Sequence, residues 1–450
     1  MKFLDALIST GNDRNIVIAD IKRYSPKDGE LLNGRPAADY ARSLVNAGAP
    51  ALSVVTEEKE FHGSLSMLRE VTEAVNVPVL RKDFIHTKKD LVETLEAGAS
   101  AILLMCSCLE SRELEYLYFE ALKLGLDPFV ETHKAEDFEL VKKLGAKLVG
   151  INNRDILKLE RDDGDVSHTQ ALLKMVPEGC FVVTESSIKN PAEVRLAISA
   201  GANAALVGTA IAKATETENF YRMMTSKKNC KICGLMNEND IDICVREGVE
   251  NIGLVTEYPL YVPWNLNAQR AAELRKRIPA GYRAVMVTGG SFEKILTLAD
   301  NVKPDVVQLH FNENYQETKE IAAELKKKGI GTIKTFPMSE ESAIEQFGTS
   351  SLTEIIKMLC STEIEAILVD PRHGRDVANK NLKADEDLFD LIKKNSSKPV
   401  ILAGGINEDN AEEILKRTGA EAIDVMNGSE DAPGVKNQGK INKIVSAIFK

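Results

Sequence analysis

The stretch Glu96-Ala97-Gly98-Ala99-Ser100-Ala101-Ile102-Leu103-Leu104-Met105 decides the fold. Glycine just past a helical segment takes the left-handed conformation that stops a helix, and the apolar run 101–105 behind it is too short to be a helix itself. The stretch reads as helix, stop and a strand buried on both faces. The same junction recurs as Ala47-Gly48-Ala49 before 51–55, Leu144-Gly145-Ala146 before 147–151 and Ala200-Gly201-Ala202 before 204–208. Apolar runs at 16–21, 78–82, 127–132 and 180–184 complete eight strands before about residue 210. The second half repeats the count at 231–233, 250–255, 283–288, 305–309, 330–335, 365–370, 399–403 and 421–426, with Gly248, Gly329 and Gly419 as stops. Strands alternating with helices imply parallel βαβ units, and eight per half imply two tandem (β/α)8 (TIM) barrels, an α/β fold. The rival is an open doubly wound sheet, but neither half has a Gly-x-Gly-x-x-Gly after its first strand. The boundary is expected in the polar Thr225-Ser226-Lys227-Lys228-Asn229, giving domains 1–228 and 229–450. So short a linker suggests a monomer whose barrels touch. Residues 347–360 read as irregular.

Two barrels of about 250 residues each would fill 450 residues with almost no slack. Hydrophobic residues at 44% and charged residues at 28% suit a packed globular protein. No apolar run approaches a membrane span and no signal-peptide pattern opens the chain, so a cytoplasmic protein without membrane contact is expected. Seven cysteines, an odd number, fit free thiols in a reducing compartment. A net charge of −11 disfavours a nucleic-acid or anionic-membrane surface, so an anionic ligand needs a local cluster of donors.

Catalytic groups of such barrels project from the C-terminal ends of the strands. In the first half these ends carry Asp20, Lys22, Lys82, Glu131, Asn152, Arg154, Glu185, Ser186, Gly208 and Thr209. Lysines, carboxylates, an amide and an arginine converging on one mouth suit proton transfer on an anionic substrate. The plainer reading is a ring of structural ion pairs. Val207-Gly208-Thr209 before a helix can hold phosphate through backbone amides, and is also an ordinary β-to-α turn. In the second half Cys230 and Cys233 form Cys-x-x-Cys, but no second ligand pair stands at matching spacing and no metal is expected. Cys233 alone reads either as a base or as a buried small hydrophobe.

The strand-end segments Ile18-Ala19-Asp20-Ile21-Lys22-Arg23-Tyr24-Ser25-Pro26, Leu80-Arg81-Lys82-Asp83-Phe84, Val130-Glu131-Thr132-His133, Gly150-Ile151-Asn152-Asn153-Arg154-Asp155 and Thr184-Glu185-Ser186 resemble, in order and spacing, those of indole-3-glycerol phosphate synthase. The resemblance implies a carboxy-lyase that closes a carboxyphenylamino-deoxyribulose phosphate to an indole with loss of CO2 and water. It makes Lys82 the general acid and Glu131 the acid/base of dehydration, with Lys22 orienting the substrate and contacting its anionic groups and Asp20 as the catalytic carboxylate of the first strand. Asn152 and Arg154 would hold the anthranilate carboxylate, Glu185, Ser186 and Ser25 would complete the pocket, and Gly208 and Thr209 would bind phosphate. The chain departs from the pattern with Asp20 for glutamate, Ser187 for the glycine of Glu-Ser-Gly, and few residues before the first strand.

Lys231-Ile232-Cys233-Gly234-Leu235, Val306-Val307-Gln308-Leu309-His310, Leu368-Val369-Asp370, Leu402-Ala403-Gly404-Gly405-Ile406-Asn407 and Ala432-Pro433-Gly434-Val435-Lys436 resemble phosphoribosylanthranilate isomerase. That family converts an N-linked ribosyl phosphate to the aminoketose, the substrate of the first activity. The resemblance implies Cys233 as the base at C2, Asp370 as the acid that opens the ribose, and Gly404, Gly405, Asn427 and Gly428 as phosphate binders. Together the halves suggest a bifunctional enzyme of tryptophan biosynthesis acting on small phosphosugars without a cofactor. Here Leu260 replaces the arginine of Arg-Tyr-Val, and Pro371-Arg372-His373-Gly374-Arg375-Asp376 replaces a glycine-rich loop. Arg372 or Arg375 could serve instead. Three alternatives remain: a different amino phosphosugar as substrate, a non-catalytic second barrel, or a Schiff base on Lys22 or Lys82.

Overall fold

The computed structural model describes residues 2–155, 164, 166–371 and 383–450. The chain divides into two compact units, Met1–Lys227 and Lys228–Lys450. In the first, β1 (Ile16–Ile21), β2 (Leu52–Val55), β3 (Val79–Lys82), β4 (Ala101–Met105), β5 (Asp127–Thr132), β6 (Leu148–Asn152), β7 (Phe181–Glu185) and β8 (Ala204–Val207) pair in parallel, in chain order. β8 closes the ring on β1 from Ile16↔Ala204 to Ala19↔Val207. In the second, β9 (Asn229–Cys233), β10 (Asn251–Val255), β11 (Arg283–Thr288), β12 (Val306–Leu309), β13 (Gly331–Thr335), β14 (Ala366–Val369), β15 (Val400–Ala403) and β16 (Ala422–Val425) form another closed parallel barrel. The junction that predicts the architecture behaves as its chemistry requires: Gly98 has φ of +82°, and Ala99 N turns back to Thr94 O before β4 begins.

Strand alternation sorts the side chains. Ile18, Leu80, Leu103, Phe129, Leu148, Val183 and Leu206 pack inside the first barrel. Their neighbours Ile102, Leu104, Val130, Val149 and Val182 face outward against Leu91, Leu114, Leu117, Phe138 and Val141 of the helices. Two positions beyond the interior layer toward the C-terminal ends stand Asp20, Lys82, Glu131, Gly150 and Glu185. The polar layer is thus the continuation of the core, one pleat higher.

The few residues before β1 form the helix Phe3–Ile8, whose Phe3 and Leu7 are fully buried against the interior layer. Leu4 N donates to Asp127 Oδ2 at 3.0 Å at the start of β5, so this helix plugs the barrel end opposite the strand C-termini. Residues 347–360 are more regular than the sequence suggests. After Gly348 the helix Leu352–Cys360 buries Ile355, Ile356 and Leu359, an amphipathic spacing hidden by the polar turn before it.

Candidate active sites

In the first barrel Lys82, the last residue of β3, lies between two carboxylates, with Nζ 2.6 Å from Glu185 Oε2 and 3.2 Å from Glu131 Oε2. Glu131 and Glu185 are buried, and the lysine side chain is 16% exposed, enough to reach the pocket above it. Burial opposes the Lys82 charge, but the carboxylates of Glu185, Glu131 and Asp20 outweigh it and hold the ammonium above the ordinary lysine value. Burial pushes Glu185 up to about 8; Lys82 draws it down while Glu131 pushes it further up. Glu185 Oε1 is buried with no hydrogen-bond partner, as suits a carboxyl that keeps its proton. The lysine stays charged inside a group of carboxylates that cannot all ionise together.

A pocket of about 540 Å3 opens over this cluster, walled by Asp20, Lys22, Lys82, Asn152, Arg154 and Ser186 among the expected residues. Glu57, Phe61 and Phe84 add walls that the strand-end reading missed. The Lys22 ammonium lies 5.7 Å from the centroid of the Phe61 ring. Asp20 accepts a 2.6 Å bond from Ser53 Oγ, which anchors the shorter carboxylate from β2. Gly150 belongs to the site by its lack of a side chain: a Cβ there would stand 2.3 Å from Glu185 Oε1 and 2.8 Å from the Phe129 ring. Ser25 is not among the pocket walls. It lies in a hairpin of Tyr24–Ser25 with Gly29–Glu30, where its Oγ accepts from the amides of Lys27 and Asp28. Gly208 lies beside Asp20, and Thr209 opens the short helix Thr209–Lys213.

In the second barrel Cys233 ends β9 and lines a cavity of about 390 Å3 with Gln308, His310, Asp370 and Asp424. The remaining walls are Val255, Tyr258, Val262, Trp264, Val287 and Met426. Asp370 and His310 face one another with Oδ2 and Nε2 4.0 Å apart, while His310 Nδ1 meets Thr335 Oγ1 at 3.0 Å and Gln308 Nε2 at 3.2 Å. Beneath Cys233, Lys231 Nζ donates to Asp424 Oδ2 at 2.6 Å, both side chains being buried. Burial raises the Cys233 thiol above its usual value; Lys231 opposes that shift and Asp424 adds to it. Lys231 and Asp424 were invisible as site residues, yet inward parity finds them, since each lies two positions from another inward residue, Cys233 or Met426. The same parity separates Cys230 from Cys233, because residues three apart on a strand face opposite sides. Among the described residues no group of three His, Cys, Asp or Glu is placed to hold a metal ion.

Leu260, where the resemblance expects arginine, packs against the apolar cluster of Cys233, Tyr258 and Trp264. Arg372 and Arg375 lie outside the described residues. The two expected phosphate turns are adjacent: an isolated bridge pairs Asn407, just after Gly404 and Gly405, with Gly428. Asn410 Nδ2 ties down Gly405 O at 2.9 Å, and Asn427 Oδ1 is buried without a partner.

Residues 1–224 match the family model described as indole-3-glycerol phosphate synthase, and residues 230–447 match that of N-(5'phosphoribosyl)anthranilate isomerase. An indole-3-glycerol phosphate synthase of Thermococcus kodakarensis is 42% identical over 212 residues, 47% of this chain and 92% of the relative. One from Pyrococcus furiosus is 43% identical over 201 residues, 45% of this chain and 87% of the relative. The tryptophan biosynthesis protein TrpCF of Yersinia pestis is 29% identical over 438 residues, 97% of this chain and 85% of the relative. Two barrels, each with a polar cluster at its strand ends, and two family matches in the same order have one meaning: the chain belongs to the indole-3-glycerol phosphate synthase family and carries a phosphoribosylanthranilate isomerase domain behind it, as a bifunctional protein of tryptophan biosynthesis.

Proposed function

We propose that Lys82 is the general acid of the synthase reaction and Glu131 its acid/base partner. In this mechanism the arene carbon attacks the substrate carbonyl carbon while Lys82 protonates the carbonyl oxygen, which becomes a hydroxyl. CO2 then leaves, and proton transfer through Glu131 expels the new hydroxyl as water. Lys22, Asn152 and Arg154 hold the anionic groups, Asp20 helps keep Lys82 charged, Glu185 accepts from Lys82 while keeping its own proton, and Ser186, Gly208 and Thr209 shape the remainder and the phosphate end. The observation that carries the reading is Lys82 Nζ at 2.6 and 3.2 Å from two buried carboxylates, with an open pocket on its other side. The test is Lys82→Ala: indole-3-glycerol phosphate formation should fall by about 10³-fold or more while isomerase activity stays within about twofold of the parent. A synthase rate near that of the parent would overturn the assignment.

In the second barrel Cys233 removes the C2 proton and Asp370 protonates the ribose ring oxygen, with Gly404, Gly405, Asn427 and Gly428 on the phosphate. Lys231 beside the thiol favours its ionised form. One observation favours a second reading, in which this barrel acts on an amino phosphosugar lacking the benzoate carboxylate. Leu260 lies in an apolar cluster where the other substrate needs a cation. Turnover of phosphoribosylanthranilate by the full chain decides between them. The protein works in the cytoplasm as a monomer; seven unpaired cysteines support a reducing location.

A further inference from the structure

The two residues directly after β7, Ser186 and Ser187, have φ of 68° and 61°, the left-handed region that glycine takes without cost and serine does not. The turn they form is gripped by successive residues behind β6. Asn153 Nδ2 donates to Ser186 O at 3.1 Å, and Arg154 Nε donates to Ser187 Oγ at 2.7 Å. The Arg154 amide in turn donates to Asn152 Oδ1 at 3.0 Å, so the arginine is tethered at both its backbone and its guanidinium. Arg154, Asn152 and Ser186 all wall the pocket; Ser187 is not among its walls. A guanidinium is planar, so fixing Nε sets the plane in which its terminal nitrogens meet a carboxylate through two parallel bonds.

We propose that Ser187 is a positioning residue for the substrate's carboxylate: its hydroxyl sets the plane of the Arg154 guanidinium, and the left-handed serine is kept for that contact. The inference rests on the proposed role of Arg154 in holding this carboxylate. It also accounts for a side chain at a position whose backbone suits glycine.

Steady-state kinetics of the full chain with the carboxyphenylamino-deoxyribulose phosphate test it. Ser187→Gly keeps the backbone conformation and removes the hydroxymethyl side chain with the Oγ that meets Arg154, so KM should rise about tenfold while kcat stays within about twofold. Ser187→Asn tolerates the left-handed region and offers a side-chain oxygen, so it should bring KM back to within about threefold of the parent. In an Arg154→Gln background, Ser187→Gly should add nothing further. If Arg154→Gln raises KM and Ser187→Gly does not, the inference is wrong and the reading of Arg154 stands. If Arg154→Gln leaves KM unchanged, that reading falls and takes the inference with it. A lower kcat at unchanged KM in Ser187→Gly also overturns the proposal.

Discussion

Glu185 is the residue whose protonation most clearly ties the synthase site to the stability of its barrel. Its carboxyl, pushed from 4.5 up to about 8, keeps a proton in the folded state that the unfolded chain has already lost. Its protonation therefore favours the fold fully below about pH 4.5, and that contribution is lost as pH rises to about 8. Glu185→Gln cannot ionise and preserves an acceptor for Lys82. Its unfolding midpoint, measured against the parent, should climb steadily across this pH window; a constant offset would argue against a raised Glu185. At the same scale, Gly150→Ala and Gly253→Ala should each damage one activity only. The first drives a Cβ to 2.3 Å from Glu185 Oε1, the second to 2.9 Å from both Cys233 Sγ and Lys231 Cε. Displacement of a catalytic group by about an ångström costs about 10²-fold in rate, so assays of both reactions on each variant should show losses of that order in the matching barrel alone.

Among the elements, strands are far more legible than the loops behind them. Ala101–Met105, Asp127–Thr132 and Arg283–Thr288 are read from the sequence to the residue, because a short apolar run behind a left-handed glycine has few other structures. Alternation then places Lys82, Glu131 and Glu185 together, since each continues an inward row. Loops have no such period. Glu57 and Phe61 reach the pocket because Glu57 folds its own loop, accepting from the amides of Glu60 and Phe61, a local bond that no repeat announces. For Lys231 and Asp424 parity is the one sequence signal, because a buried ion pair in a strand otherwise looks like a charged surface position until its partner is found across the barrel. The helix Phe3–Ile8 carries its own prediction. Phe3→Ala should cost about 3 kcal/mol in denaturant unfolding of the first barrel by leaving a cavity at its closed end. KM for the synthase substrate should be unchanged, because the helix lies away from the site; a raised KM would contradict that placement.

At the scale of the whole molecule, the chain is two barrels each completing its own polar cluster, in a protein whose net charge of −11 repels the phosphosugars it handles. Local cations offset that field at the synthase mouth, where Lys22, Lys82 and Arg154 converge. In the second barrel the described cavity walls are mostly apolar, and Lys231 sits below them in a pair with Asp424, with Lys436 donating to the Cys233 carbonyl. The two sets of strand ends differ: one carries a lysine between two carboxylates, the other a thiol and a carboxyl. We propose that these are two separate catalytic centres acting in sequence. The most direct measurement is complementation in trans with full-length Lys82→Ala and Cys233→Ala chains supplied with phosphoribosylanthranilate. Neither variant alone should make indole-3-glycerol phosphate, the first accumulating the aminoketose and the second leaving its substrate untouched, while the mixture should restore the product. Product from either variant alone, or none from the mixture, would contradict the account.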